Sequence, residues 1–301
     1  MEYIKKFLSE SSKMVPNPTN MEPKYRPDPS IKAVVFDVYG TIMISASGDI
    51  DESDISTENL KASLDAAGIL IEETVRNPQH VLIEMIESFK RTIIQVHETE
   101  RSPDKPYPEV DILKIWESII HENRDKHRLL LDGPLCIKCF TFVFEVLCNN
   151  IYPMPGMKNV IMQLSERGLP LGIISNAQFY TPVILNFFIH DKVSDEEDVA
   201  PFDRSLTVFS YKHKRSKPDH FLFDIVKKQC RQKYQIDPSE ILFIGNDMFR
   251  DIYPANLAGF KTALFAGDSK SLRLRKEKPE LYNLDPDYII TDLFQLLKII
   301  N

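Results

Sequence analysis

Six short apolar runs, each leading into polar residues, limit what this chain can fold into. Ala33-Val34-Val35-Phe36 delivers Asp37, and Leu169 to Ile174 delivers Ser175 and Asn176. Leu206 to Phe209 precedes Lys217-Pro218-Asp219, and Ile241-Leu242-Phe243-Ile244 gives way to Gly245-Asn246-Asp247. Thr262 to Phe265 and Tyr288 to Ile290 complete the set. Continuous apolar runs of this length suit strands buried on both faces. From Tyr152 onward they alternate with helix-patterned segments such as Asp219 to Cys230. The alternation predicts an α/β fold with a parallel sheet covered by helices.

The first run stands apart from the other five. Between them, residues 46–151 show helical spacing with few strand signals. Leu60, Leu64 and Ala67 share a face, as do Val81, Leu82, Met85, Ile86 and Phe89 with Ile93 and Val96. Ile112, Leu113, Trp116, Ile119 and Ile120 make a third amphipathic stretch, and the region around Phe140 a fourth. Residues 1–30 contain Pro16, Pro18, Pro23, Pro27 and Pro29 among polar residues and read as an extension or linker with one short helix at its start. The predicted organisation is an extension (1–30), a core built from 31–45 and 152–301, and an all-helical insert (46–151).

A hydrophobic content of 43% and a charged content of 27% are those of a globular domain, and 301 residues allow an ample core. A net charge of −7 argues against a general nucleic-acid binder. No apolar run is long enough to span a bilayer, and the first residues lack a signal-peptide stretch, so no membrane association is expected and the cytoplasm is the default location. Oligomeric state is left open. Cys136 and Cys139 form a C-x-x-C that could be half of a zinc site with Cys148 and His127. Their aromatic neighbours favour instead a buried helix in which cysteine acts as a small hydrophobe. Trp116 reads as a packing residue, while Tyr107-Pro108-Glu109 could touch a substrate.

Ligands of parallel sheets bind beyond the carboxyl ends of the strands, so the residues handed off there are the candidates for chemistry. Asp37 is placed to act as a nucleophile, with Thr41 four residues on. Ser175, Asn176 and the Lys217 ammonium can hold an anionic group, and Lys217 would keep Asp37 ionised. Asp247 and Asp251 add negative charge beside Asp37, which makes sense if a hard cation such as Mg²⁺ lies among oxygen ligands.

The order D-x-Y-G-T (37–41), I-I-S-N (173–176), K-P-D (217–219) and G-N-D-x-x-x-D (245–251) resembles the haloacid dehalogenase-like (HAD) hydrolase superfamily. The flanks Pro153-Met154-Pro155-Gly156 and Ala255-Asn256-Leu257-Ala258-Gly259-Phe260 agree with it. The resemblance covers Lys32 to about Ser45 and Tyr152 to the C-terminus. It implies a Rossmann-type core with an all-α cap of the first cap class. By position it implies Asp37 as nucleophile, Thr41 and Ser175 as phosphate-site hydroxyls, and Lys217 as the charge-stabilising lysine. It also implies Mg²⁺ held by Asp37, the Tyr39 backbone carbonyl and Asp247, with Asp251 in support.

Tyr39 departs from the pattern, because phosphatases of the superfamily usually have an aspartate acid–base there. D-x-Y-G-T also opens 2-haloacid dehalogenases, which attack carbon without metal but lack the paired acidic G-N-D-x-x-x-D element. The expectation is Mg²⁺-dependent hydrolysis of a small phosphorylated metabolite through an aspartyl-phosphate. The alternatives are a 2-haloacid dehalogenase or a catalytically weak binding protein. Asp49 or Asp51 could replace the missing acid.

Overall fold

The computed structural model describes residues 2–9, 13–46, 55–193 and 197–300. In chain order the helix α1 (Glu2–Ser9) precedes β1 (Ala33–Phe36) and β2 (Met43–Ser45). The insert contains α2 (Thr57–Ala66), β3 (Ile69–Ile71), α3 (Pro78–Thr99), α4 (Ile112–Asp125), β4 (Leu129–Leu131) and α5 (Ile137–Cys148). The chain returns through β5 (Ile151–Pro153), α6 (Met157–Glu166), β6 (Leu171–Ser175), α7 (Tyr180–His190), β7 (Thr207–Phe209), α8 (Ser210–His213) and α9 (Phe221–Gln229). It ends with β8 (Ile241–Gly245), α10 (Tyr253–Ala258), β9 (Lys261–Phe265), β10 (Tyr288–Ile290) and α11 (Leu296–Ile299).

Six strands form one parallel sheet in the order β10-β9-β8-β1-β6-β7. Every residue of β1, β6 and β8 is buried, as expected of a sheet with helices on both faces. These three are the central neighbours: Phe36 pairs with Ile173 on one side and Ile244 on the other. Their polar ends are therefore brought side by side, and the strand order reverses at β1, where such sheets bind ligands.

The insert packs around its own apolar cluster. Trp116 is fully buried as expected, stacked on Phe89 at 4.4 Å between ring centroids and met edge-on by Phe140 and Phe144. The all-helical expectation misses one feature: β3 and β4 pair antiparallel, Ile69 opposite Leu131 and Ile71 opposite Leu129. Three-residue strands with one buried end are too short to show a period in sequence. A second short pair, β2 with β5, stands where the chain leaves and re-enters the core.

Two other expectations change. Cys136 and Cys139 are joined in a disulfide near the surface, so they are neither zinc ligands nor core fillers; Cys148 and Cys230 are buried and are not part of that disulfide. The proline-rich segment does not behave as a loose linker where it is described. Lys24 and Ile289 exchange backbone hydrogen bonds at 2.8 Å, covering the outer strand β10, and Asp28 accepts from Lys261 and from Tyr288 Oη. Covering an open sheet edge removes a site of unwanted strand pairing. Among the described residues no helix is long and apolar enough to cross a membrane.

Candidate active site

Asp37 leaves the end of β1 with its amide bonded to the Ile244 carbonyl of β8 (2.8 Å). The turn behind it needs glycine. Gly40 has φ +83°, and a Cβ there would lie 2.5 Å from Asn246 Nδ2. Gly245 is equally constrained, since a Cβ would fall 2.5 Å from Asp251 Cβ. Gly40 lets the turn after β1 approach the loop after β8, and Gly245 makes room for Asp251 within that second loop.

Lys217, in the loop between α8 and α9, reaches back to the end of β1. Its Nζ lies 2.6 Å from Asp37 Oδ1 and 2.5 Å from Asp251 Oδ1, with all three side chains buried. Burial alone would lower the Lys217 pKa, but Asp251 and Asp37 outweigh it and hold the ammonium above its ordinary value. Asp251 is pushed up to about 7 by burial, with Lys217 opposing and the charges of Asp37 and Asp247 adding to the rise. Asp251 Oδ2 also accepts from the amides of Asn246 and Asp247, which fixes the loop after β8.

The structure gathers the other candidates in different ways. Thr41 Oγ1 lies 3.3 Å from Asp37 Oδ2 and 3.1 Å from Asn246 Oδ1. Asn176 braces the lysine loop, accepting from the Lys217 amide at 2.6 Å and donating to its carbonyl at 3.2 Å. Ser175 is buried at the end of β6, its hydroxyl 3.5 Å from the Asn176 carbonyl. Both Asp247 oxygens are taken up by other partners. Its Oδ1 accepts from the amides of Phe249 and Arg250, and its Oδ2 takes two bonds from Arg275 (2.9 and 3.1 Å).

The oxygen set suits a hard cation in part. Each Asp37 oxygen has one partner, and the bonds flanking Tyr39 leave its carbonyl without one among the described residues. Asp247 can join them only if Arg275 withdraws. Among the described residues no three acidic, histidine or cysteine side chains form a ready-made metal cluster. Asp49 and Asp51 lie outside the described residues.

Asp37, Asn176, Lys217, Asp247 and Asp251 border a cavity of about 130 Å³. The insert supplies Glu109 and Glu145 to the same cavity, and the core adds Tyr39, Gln178 and Tyr180. Tyr39 Oη is 2.8 Å from Thr181 Oγ1, and its pKa is raised by burial and by the charges of Glu145 and Asp37. Tyr180 Oη donates to Glu145 Oε2 at 2.9 Å, and burial pushes the Glu145 carboxyl up to about 7. Glu109, also raised by burial, accepts from Ser210 and Gln178 and ties the Tyr107–Val110 loop to the core. Of these, Glu109 belongs to the Tyr107-Pro108-Glu109 segment expected near a substrate, and Glu145 carries a further signal in sequence, a lone carboxylate within the apolar run Phe142-Val143-Phe144-Glu145-Val146-Leu147.

Residues 31–259 match the haloacid dehalogenase-like hydrolase family. A glyceraldehyde 3-phosphate phosphatase of Pyrococcus furiosus is 27% identical over 169 residues, 54% of this chain and 56% of that protein. Its namesake from Pyrococcus abyssi is 31% identical over 122 residues, 37% of this chain and 42% of that protein. The chain thus spans about half the length of the curated relatives it matches. Among solved structures, a 2-haloacid dehalogenase from Pseudomonas syringae pv. Tomato has a TM-score of 0.51 at 16% identity, over 89% of this chain and 96% of that one, a likeness of fold. With more than half of its length matched by the family, this chain belongs to the haloacid dehalogenase-like hydrolases.

Proposed function

We propose that the protein hydrolyses a small phosphorylated metabolite, with Asp37 as nucleophile and an aspartyl-phosphate intermediate. The observation that supports this most is the buried Lys217 ammonium 2.6 Å from Asp37 Oδ1, which sets a positive charge beside the carboxyl that borders the cavity. One Asp37 oxygen attacks phosphorus as the ester oxygen leaves. Water then attacks the phosphorus of the acyl phosphate and restores the carboxylate. Lys217 offsets the charge that develops on the phosphoryl oxygens, and Thr41, Ser175 and Asn176 hold the loops on which the anionic group rests. The relatives named as glyceraldehyde 3-phosphate phosphatases favour a phosphate ester. A cavity of about 130 Å³ favours a short one, being below the roughly 300–1,000 Å³ of drug-sized pockets.

Mg²⁺ would be held by Asp37, the Tyr39 carbonyl and Asp247, with Asp251 in support. When bound it would supply Lewis-acid stabilisation of the phosphoryl oxygens. A second reading, metal-independent attack on the carbon of a 2-haloacid, is favoured by the pairing of Asp247 with Arg275 and of Asp251 with Lys217, which neutralises both acids without a cation. A panel of small phosphate esters and 2-haloacids, assayed with Mg²⁺ and with EDTA on wild type and Asp37→Asn, tests both. The phosphatase reading expects Asp37-dependent phosphate release that EDTA suppresses. Halide release in EDTA, with no phosphate released, would favour the second.

A further inference from the structure

The residue two after the nucleophile is Tyr39, whose hydroxyl is bonded to Thr181 and whose proton burial holds more tightly than in water. It is a poor proton donor, yet expulsion of an alkoxide from a phosphate ester calls for one. The insert's side of the cavity provides a candidate. Glu145 lies on α5, the last helix of the insert, and borders the same cavity as Asp37 and Lys217. Tyr180 at the start of α7 donates to Oε2, which fixes the carboxyl in place. Tyr39 borders the same cavity as both carboxyls.

We propose that Glu145 is the acid–base residue of this enzyme, the insert supplying the carboxyl that position 39 no longer supplies from the core. The assignment rests on the phosphatase reading. In the first step an Asp37 oxygen bonds to phosphorus, the phosphorus–ester oxygen bond breaks, and the Glu145 proton passes to the departing oxygen, releasing an alcohol. In the second step the Glu145 carboxylate takes a proton from water as the water oxygen bonds to phosphorus. The bond between phosphorus and Asp37 breaks, inorganic phosphate leaves, and both carboxyls return to their starting states. Burial favours the protonated form of Glu145 between turnovers, as the first step requires.

The placement has a consequence for specificity. Because the acid stands on the insert and the nucleophile on the sheet, a substrate must fit between the two for its leaving oxygen to be protonated efficiently. Larger esters would hold Glu145 away from the leaving oxygen.

Leaving-group dependence tests the assignment, since an acid matters for a poor leaving group and little for a good one. Glu145→Gln should lower kcat/KM for glycerol 3-phosphate by about 10²–10³-fold and for p-nitrophenyl phosphate by less than about tenfold. In the Glu145→Gln background, Tyr39→Asp should restore part of the loss on the alkyl ester. Equal losses on the two esters, or no loss on the alkyl ester, would overturn the assignment. If Glu145→Gln fails to fold, a series of phosphate esters on the wild type decides: a shallow dependence on leaving-group basicity supports a proton donor, and a steep one overturns it. A wild type inert towards every ester would overturn the phosphatase reading and this assignment with it.

Discussion

The Lys217 ammonium bridges Asp37 and Asp251, 2.6 Å from one carboxylate and 2.5 Å from the other, with all three side chains buried. A single lysine therefore links the end of β1 to the loop that follows β8. Removing it leaves two buried carboxylates facing one another, at a cost larger than that of an ordinary ion pair. Lys217→Met should destabilise the fold by about 3–5 kcal/mol, read as a lower urea midpoint, and should abolish turnover.

Glu145 also affects stability, with a sign that pH reveals. Its carboxyl is raised by burial from an ordinary 4.5 to about 7, so the folded state binds its proton more tightly than the unfolded chain does. That contribution is fully present below about pH 4.5 and is lost as pH rises through 7. Glu145→Gln should therefore raise Tm relative to wild type at about pH 8 and change it little at about pH 5, as scanning calorimetry under the two conditions would show.

The extension provides a test of the opposite sign. Hydrogen bonds from Lys261, Ser30 and Tyr288 outweigh burial and hold Asp28 below the ordinary aspartate range. Its contribution is present at neutral pH and falls away as the carboxylate is protonated on acidification. Asp28→Asn should cost about 1–3 kcal/mol at neutral pH and progressively less as the pH falls below about 4, measured by denaturant titration.

Much of this architecture is legible in sequence. The β1, β6 and β8 runs are continuous apolar segments, because strands buried on both faces admit little else, and their ends announce Asp37, Asn176 and Asp247. Lys217 is legible too, standing immediately before Pro218-Asp219 in an otherwise surface-like basic run. What does not show is which way a side chain turns. Asp247 sits at the expected strand end, yet its two oxygens face the helical turn Met248–Ile252 and Arg275, a residue 28 positions away that no local pattern connects to it. The β3–β4 pair is hidden for a related reason: its strands are three residues long and lie on either side of α3 and α4. Glu145 reads as a lone acid on an apolar helix until α7 brings Tyr180 to it.

Arg275 would therefore compete with a cation for Asp247. Arg275→Gln should tighten Mg²⁺ binding by about 2- to 5-fold in calorimetric titration, the effect expected on removing a partly exposed ion pair. Unchanged affinity would indicate that Asp247 is not a ligand.

Where a water oxygen ends up separates attack at phosphorus from attack at carbon. A turnover of p-nitrophenyl phosphate in H₂¹⁸O, followed by mass spectrometry of the phosphate and of the peptide containing Asp37, reads the atom that water attacks. Hydrolysis through an aspartyl-phosphate predicts label in the released phosphate and none in the Asp37 peptide, with no turnover in Asp37→Asn. Label in the Asp37 carboxylate would contradict it, because water would then have attacked the aspartyl carbon, as ester intermediates on carbon require.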